Sequence, residues 1–269
     1  LDDDLIVAEI GTNHEGDVDV AKTRVRQAAE CGVHAVKFQT FQTKHFVSAS
    51  DKARYERLAS FELSYQEVEE LHRLAKSLGL LFLSTPLDLE SARFLAGLVD
   101  GYKIASGDNN FYPLLEVVCQ TGKPLIISSG LSDLEQIKQS QQFVEEQWRR
   151  RGIRQHVAVL HCVSSYPVPP EQANLAAIPF LAGALGCPVG YSDHTIGTDA
   201  CMIAVALGAR IIEKHFTLDT HFSDFRDHQL SADPEEMKRL VRQIARVRAM
   251  LGRPEKTLQP CEAGSVQQV

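Results

Sequence analysis

Short apolar runs alternate with longer amphipathic stretches along most of the chain, the pattern of a parallel sheet with crossover helices. The runs Leu5–Ile10, His34–Gln39, Leu80–Ser84, Gly101–Ser106, Pro124–Ser128, His156–His161, Pro188–Ser192 and Ala209–His215 read as strands. Helices are predicted over Val18–Cys31, Ser64–Leu78, Pro113–Gln120, Asp133–Trp148 and Thr198–Leu207, with another starting near Asp88, and a Pro-rich loop, SSYPVPP, leads into a segment ending near Leu185. Ser64 and Glu67 stand at capping-box spacing. A last helix, Pro234–Leu251, carries an apolar stripe at Met237, Leu240, Val241, Ile244 and Leu251. Thr40–Leu63 reads as a polar insertion. Eight strand–helix units predict an α/β fold, a closed (β/α)8 TIM barrel over residues 1–252. No glycine-rich dinucleotide fingerprint follows the first strand, which argues against an open doubly wound sheet. Residues 253–269 are polar and aperiodic, a tail or the start of a linker.

Composition narrows the partners. The 269 residues are 44% hydrophobic and 23% charged, with a net charge of −7. A nucleic-acid partner is not expected, because phosphate backbones demand a basic footprint. A small anionic substrate is compatible, since local lysines override the global sign. Six cysteines without a CxxC pair read as reduced thiols, and no run is apolar enough to span a membrane. A cytoplasmic location is the expectation.

Active sites of such barrels lie where the strands end. Those ends carry Glu9, Lys37, Gln39, Ser84, Thr85, Lys103, Ser106, Asp108, Ser128, Ser129, His161, Ser164, Tyr166, Ser192, Asp193, His194, Glu213 and His215. Period-two alternation puts Lys37 with Gln39 and Glu213 with His215 on shared faces. Cys162 is expected to face the helices as packing. His194 and His215 end consecutive strands, an arrangement that suits a divalent metal. Two lysines and several hydroxyls suit phosphate and carboxylate. Lys37 or Lys103 would equally serve a Schiff-base aldolase. A carbohydrate-binding barrel without activity is the third reading.

The segments AEIGTNHEG, VKFQT, FLSTP, YKIASGD, ISSG, LHC, GYSDHTIG and GARIIEKHFT resemble the N-acetylneuraminate (sialic acid) synthase family. Its relatives make legionaminic, pseudaminic and spore-coat sugars. The resemblance spans about residues 5 to 251, with every block in order. It implies condensation of phosphoenolpyruvate with an N-acylated hexose such as N-acetylmannosamine, with release of phosphate. It also implies Mn2+ or Mg2+ on His194 and His215, and a homodimer. Matched by position, Lys37, Thr85 and Ser128 would hold the phosphoenolpyruvate carboxylate, and Lys103, Ser106, Ser164 and Ser192 its phosphate. Gln39, Asp108, Tyr166 and Asp227 would meet the sugar. Glu9 and Glu213, with the two lysines, would be catalytic. Asp108 stands where a bacterial member has Glu, Ser164 where it has Asn, and THFSDFRDHQLS departs from the usual loop. Many members continue into an antifreeze-like domain, and the expectation is that this chain is cut short before it.

Overall fold

The computed structural model describes residues 4–266. Eight parallel strands close into one barrel in sequence order, so the predicted TIM barrel is observed. They are β1 (Leu5–Gly11), β2 (Ala35–Thr40), β3 (Leu81–Pro86), β4 (Gly101–Ile104), β5 (Leu125–Ser128), β6 (Val157–Cys162), β7 (Val189–Asp193) and β8 (Ile211–His215). The helices are α1 (Val18–Cys31), α2 (Thr43–Phe46), α3 (Lys52–Phe61), α4 (Tyr65–Ser77), α5 (Leu89–Phe94) and α6 (Tyr112–Gln120). After them come α7 (Leu134–Arg151), α8 (Ala177–Leu185), α9 (Asp199–Ala206), α10 (Asp227–Leu230), α11 (Pro234–Leu251) and α12 (Ala263–Val266). The stretch read as a polar insertion therefore folds into α2 and α3.

Helix starts follow local chemistry. Asp17, Ser64, Asp88, Asp133 and Asp233 each accept a backbone N–H of the first turn, satisfying donors that the helix leaves free. The Ser64–Glu67 capping box forms as predicted, and Asp233 makes a second one with Glu236.

Alternation along the strands divides the barrel interior into two levels. Val7, Ala35, Leu83, Ile126, Leu160 and Ile211 fill the floor in one buried apolar cluster. Two residues further along the same strands come Glu9, Lys37, Thr85, Ser128, Cys162 and Glu213. The odd-numbered and even-numbered partners between them, such as Ile6, Val36, Phe38, Phe82, Val159 and Ile212, pack outward beneath the helices. On β7 the floor position is Gly190, where an added Cβ would meet the Ile211 carbonyl and the Leu160 side chain. The polar level is thus one pleat above an apolar plug, and it opens at the C-terminal rim. Past α11, residues 252–261 are exposed up to the short turn at Pro260–Glu262. The last residues of the expected tail, 267–269, lie outside the described residues.

Candidate active site

The rim encloses a cavity of about 390 Å³. The residues matched above to phosphoenolpyruvate, sugar and metal all line it except Asp108 and Asp227. Asp227 lines a second cavity of about 820 Å³, which shares Gln39, Phe46, Arg54, Tyr166 and Arg226 with the first. Asp108 sits beside the inner cavity, whose wall is formed by its neighbours Ser106 and Gly107.

At the centre is Glu213. Its Oε1 lies 3.7 Å from both Lys37 Nζ and Lys103 Nζ and accepts a 2.9 Å hydrogen bond from Ser192. Lys37 also pairs with Glu9 at 2.7 Å and donates to Thr85 Oγ1 at 3.3 Å. Lys103 donates to Ser128 Oγ at 2.6 Å. Two cations so deep in a protein are tolerated because two carboxylates stand beside them. Burial pushes the Glu9 carboxyl up to about 6 against the pull of Lys37. Burial would raise Glu213 too, but Lys103 and Lys37 outweigh it and hold it below the ordinary value. For Lys37, burial is outweighed by Glu213 and Glu9, so its pKa rises. Lys103 goes the other way, lowered by burial that Glu213 only partly offsets.

Two residues past Ser128, Gly130 lies close to two hydroxyls. An added Cβ at Gly130 would run into Ser164 Oγ and lie 2.6 Å from Ser106 Oγ. Only a residue without a side chain leaves room for both.

His194 and His215 face each other with ring centroids 5.3 Å apart, and Tyr166 stacks on His194 at 4.2 Å. His194 Nδ1 donates to the Val163 carbonyl at 2.9 Å, which frees Nε2 as a lone-pair donor. His215 Nδ1 is buried without a hydrogen bond, and Asp227 Oδ2 lies 3.9 Å away. Burial first, then His194, keeps the His215 pKa well below its ordinary value, so the ring is neutral and fit to ligate. At His194 burial is outweighed by Cys162 and the Val163 carbonyl, and the pKa rises. Among the described residues no three His, Cys, Asp or Glu side chains converge on one ion position. Two nitrogen donors fit an octahedral ion completed by water and substrate oxygens better than zinc.

Three rim assignments change. Cys162, expected to face the helices, follows Ala158 and Leu160 inward and lines the cavity, while His161 turns outward. The His161 ring stacks on Tyr191, and its Nε2 bonds the Ala173 carbonyl at 2.8 Å. The strand continues one residue beyond the expected end, so the pleat presents Cys162 at the rim. Ser84 also points out, 2.8 Å from Thr40 Oγ1. Asp193 lies behind the histidines in a buried 2.8 Å ion pair with Lys214, and accepts from Tyr191 OH and Thr195 N. That cluster ties β7 to β8 directly beneath His194 and His215.

Sequence reasoning missed Arg54, Phe46 and Arg226 in the cavity wall. Arg54, Leu58 and Phe61 recur at helical spacing within the supposed polar insertion, a signal that was available.

The closed (β/α)8 barrel carries lysines, carboxylates and a histidine pair at its C-terminal rim, the end where enzymes of this architecture place their active sites. The NeuB family profile matches residues 24–256. An uncharacterized protein of Methanocaldococcus jannaschii is 48% identical over 96% of this chain and 75% of its own length. The N-acetylneuraminate-9-phosphate synthase of Mus musculus is 36% identical over 96% of this chain and 74% of its own. The crystal structure of an N-acetylneuraminic acid synthetase from Leptospira borgpetersenii superposes with a TM-score of 0.91 at 32% identity, covering 99% of this chain and 91% of that one. The chain belongs to the NeuB family, and it is of the sialic acid synthase type. No helix among the described residues is long and apolar enough to cross a membrane.

Proposed function

We propose that this protein condenses phosphoenolpyruvate with the aldehyde of an N-acylated hexose, giving a nine-carbon 2-keto sugar acid and inorganic phosphate. The observation that carries the reading is Glu213 held between Lys37 and Lys103, with hydroxyls on every side and the histidine pair at the rim. Lys37, Thr85 and Ser128 hold the substrate carboxylate. Lys103, Ser106, Ser164 and Ser192 surround its phosphate, the lysine as a charge-assisted donor suited to an anion. Gln39, Tyr166 and Asp227 meet the sugar, with Asp108 beside them.

A bond forms between carbon 3 of phosphoenolpyruvate and the aldehyde carbon, and water adds at carbon 2 as the carbon–oxygen bond to phosphate breaks. Glu9 and Glu213 flank the positive charge that develops at carbon 2, and Lys103 balances the leaving phosphate. A divalent ion, Mn2+ or Mg2+, on His194 and His215 supplies Lewis-acid stabilisation of the aldehyde oxygen. A cytoplasmic location and a homodimer belong to the same proposal.

The decisive experiment is phosphate release from phosphoenolpyruvate with a panel of N-acylated hexoses, with and without metal. Release that needs neither sugar nor metal would overturn the reading. The lowered pKa of Lys103 favours a second one, a Schiff-base aldolase, because an amine nucleophile must lose its proton. Borohydride trapping with a keto acid separates the two: a covalent adduct at Lys103 supports the aldolase.

A further inference from the structure

Behind the histidine pair, on the outward face of the barrel, stands an ion pair that the condensation does not use. Asp193 and Lys214 are Cα partners in the register of β7 against β8, and one residue further along the chain from each come His194 and His215. Their side chains are 0% and 1% exposed, so solvent relieves neither charge. Outward positions such as Phe38, Ile104 and Ile212 are buried and apolar, and an apolar pair of similar volume is commonly no less stabilising than a buried ion pair. The two charges are therefore not explained by packing.

What they hold is Thr195. Its backbone N–H donates to Asp193 Oδ1 at 2.8 Å, and its carbonyl accepts from Lys214 Nζ at 2.6 Å. Lys214 Nζ also donates to Asp193 Oδ2 at 2.8 Å, which closes the ring of contacts. Tyr191 OH at 3.0 Å and Cys201 Sγ at 3.3 Å donate to the same carboxylate. His194 stands between Asp193 and Thr195, and its own carbonyl accepts from Val168 N at 2.9 Å. The turn that leaves β7 is thus held on both sides of His194, and the side chain that holds it belongs to the residue before His215.

We propose that the Asp193–Lys214 pair is the positioning element of the histidine pair: it sets the separation of His194 and His215 by tying the turn after β7 to the end of β8. The inference rests on the reading above that the two histidines share one divalent ion. Two nitrogens on different strands can ligate one ion only over a narrow range of spacings, and here the ring centroids are 5.3 Å apart. The rings do not fix that spacing themselves. His194 Nδ1 bonds the Val163 carbonyl, whereas His215 Nδ1 has no hydrogen bond. His215 is placed by its backbone, and Lys214 registers that backbone against the turn that carries His194. Residues that support metal ligands in this way contribute about ten- to hundredfold to affinity.

The test removes both charges together, because either alone would leave its partner buried and unpaired. Asp193→Asn with Lys214→Met keeps an acceptor for Thr195 N but loses the tie to its carbonyl. Asp193→Leu with Lys214→Met loses both. Calorimetry with Mn2+ is expected to show about tenfold weaker binding in the first variant and up to about a hundredfold in the second. Val144→Ala, a cavity variant on α7, serves as the control: it should lower the denaturation midpoint and keep the parent's Mn2+ affinity. Parental affinity in the Asn/Met variant overturns the proposal, and so does an equal loss in Val144→Ala, which would trace the effect to general loosening. The Asn/Met variant decides the matter by itself if the Leu/Met variant does not fold. If the parent binds no Mn2+, the metal reading fails on its own account, and crystal structures of parent and Asn/Met variant then decide the positioning. A wider separation of the two rings in the variant supports it, and an unchanged one overturns it.

Discussion

Lys37 Nζ lies 2.7 Å from Glu9 Oε2, and the two residues are also Cα partners in the register of β2 against β1. Strand pairing itself sets this ion pair, with both side chains inside the barrel. Its removal from one side leaves a buried charge. Lys37→Met is therefore expected to destabilise the fold by about 3–5 kcal/mol, and Lys37→Met with Glu9→Gln by clearly less. Denaturant titration of the two variants checks this; equal losses would show that the pair is not coupled.

His194→Ala and His215→Ala should each abolish metal-dependent turnover while the far-ultraviolet spectrum stays native. The reason is that the two rings face each other at the rim, with His215 Nδ1 free of a hydrogen bond and His194 Nδ1 occupied by the Val163 carbonyl. Metal titration that gave the parent affinity for both variants would sink the assignment.

Lys103→Met removes the cation that bonds Ser128 and faces Glu213. Weaker phosphoenolpyruvate binding is expected, by about 1.5–3 kcal/mol, the usual share of a charged hydrogen bond. Calorimetry reads it directly, and an unchanged affinity would reassign the residue.

Gly130→Ala puts a methyl group where the Ser106 and Ser164 hydroxyls meet. The expected result is a raised KM for phosphoenolpyruvate, with a smaller effect on the acceptor. A variant with parental KM for phosphoenolpyruvate would show that the two hydroxyls do not act together.

His14 should make stability depend on pH. Burial, then Arg24, pushes its pKa down from 6.5 to about 4, so the folded protein keeps it neutral. Between those values the unfolded chain takes up a proton that the folded one refuses, and stability falls as pH falls. The loss from this group approaches on the order of 3 kcal/mol near pH 4. His14→Asn should flatten that part of the profile in thermal melts; identical slopes for variant and parent would refute it.

Most of the polar level was legible before any coordinates. On β1, β2 and β8 the alternation alone places Glu9, Lys37 and Glu213 inward, because a pleat leaves a side chain only two directions. On β6 the same rule misled: the strand runs one residue further than its apolar pattern suggested, and Cys162 exchanged places with His161 at the rim. Asp193 and Lys214, adjacent to the histidines in sequence, turn away from them to join each other. Within Thr40–Leu63 the signal for α3 is confined to the spacing of Arg54, Leu58 and Phe61, because a helix with few buried positions displays little further apolar periodicity.

By itself, then, the sequence determined the number of strands, their order and the chemical character of their ends, all set by local periodicity and turn chemistry. What the tertiary structure alone decided is who meets whom. Glu213 on β8 lies 3.7 Å from lysines on β2 and β4, three strands that do not pair with one another. Their approach exists only because the sheet closes, and closure is a property of all eight strands together, with no counterpart in any local stretch of chain.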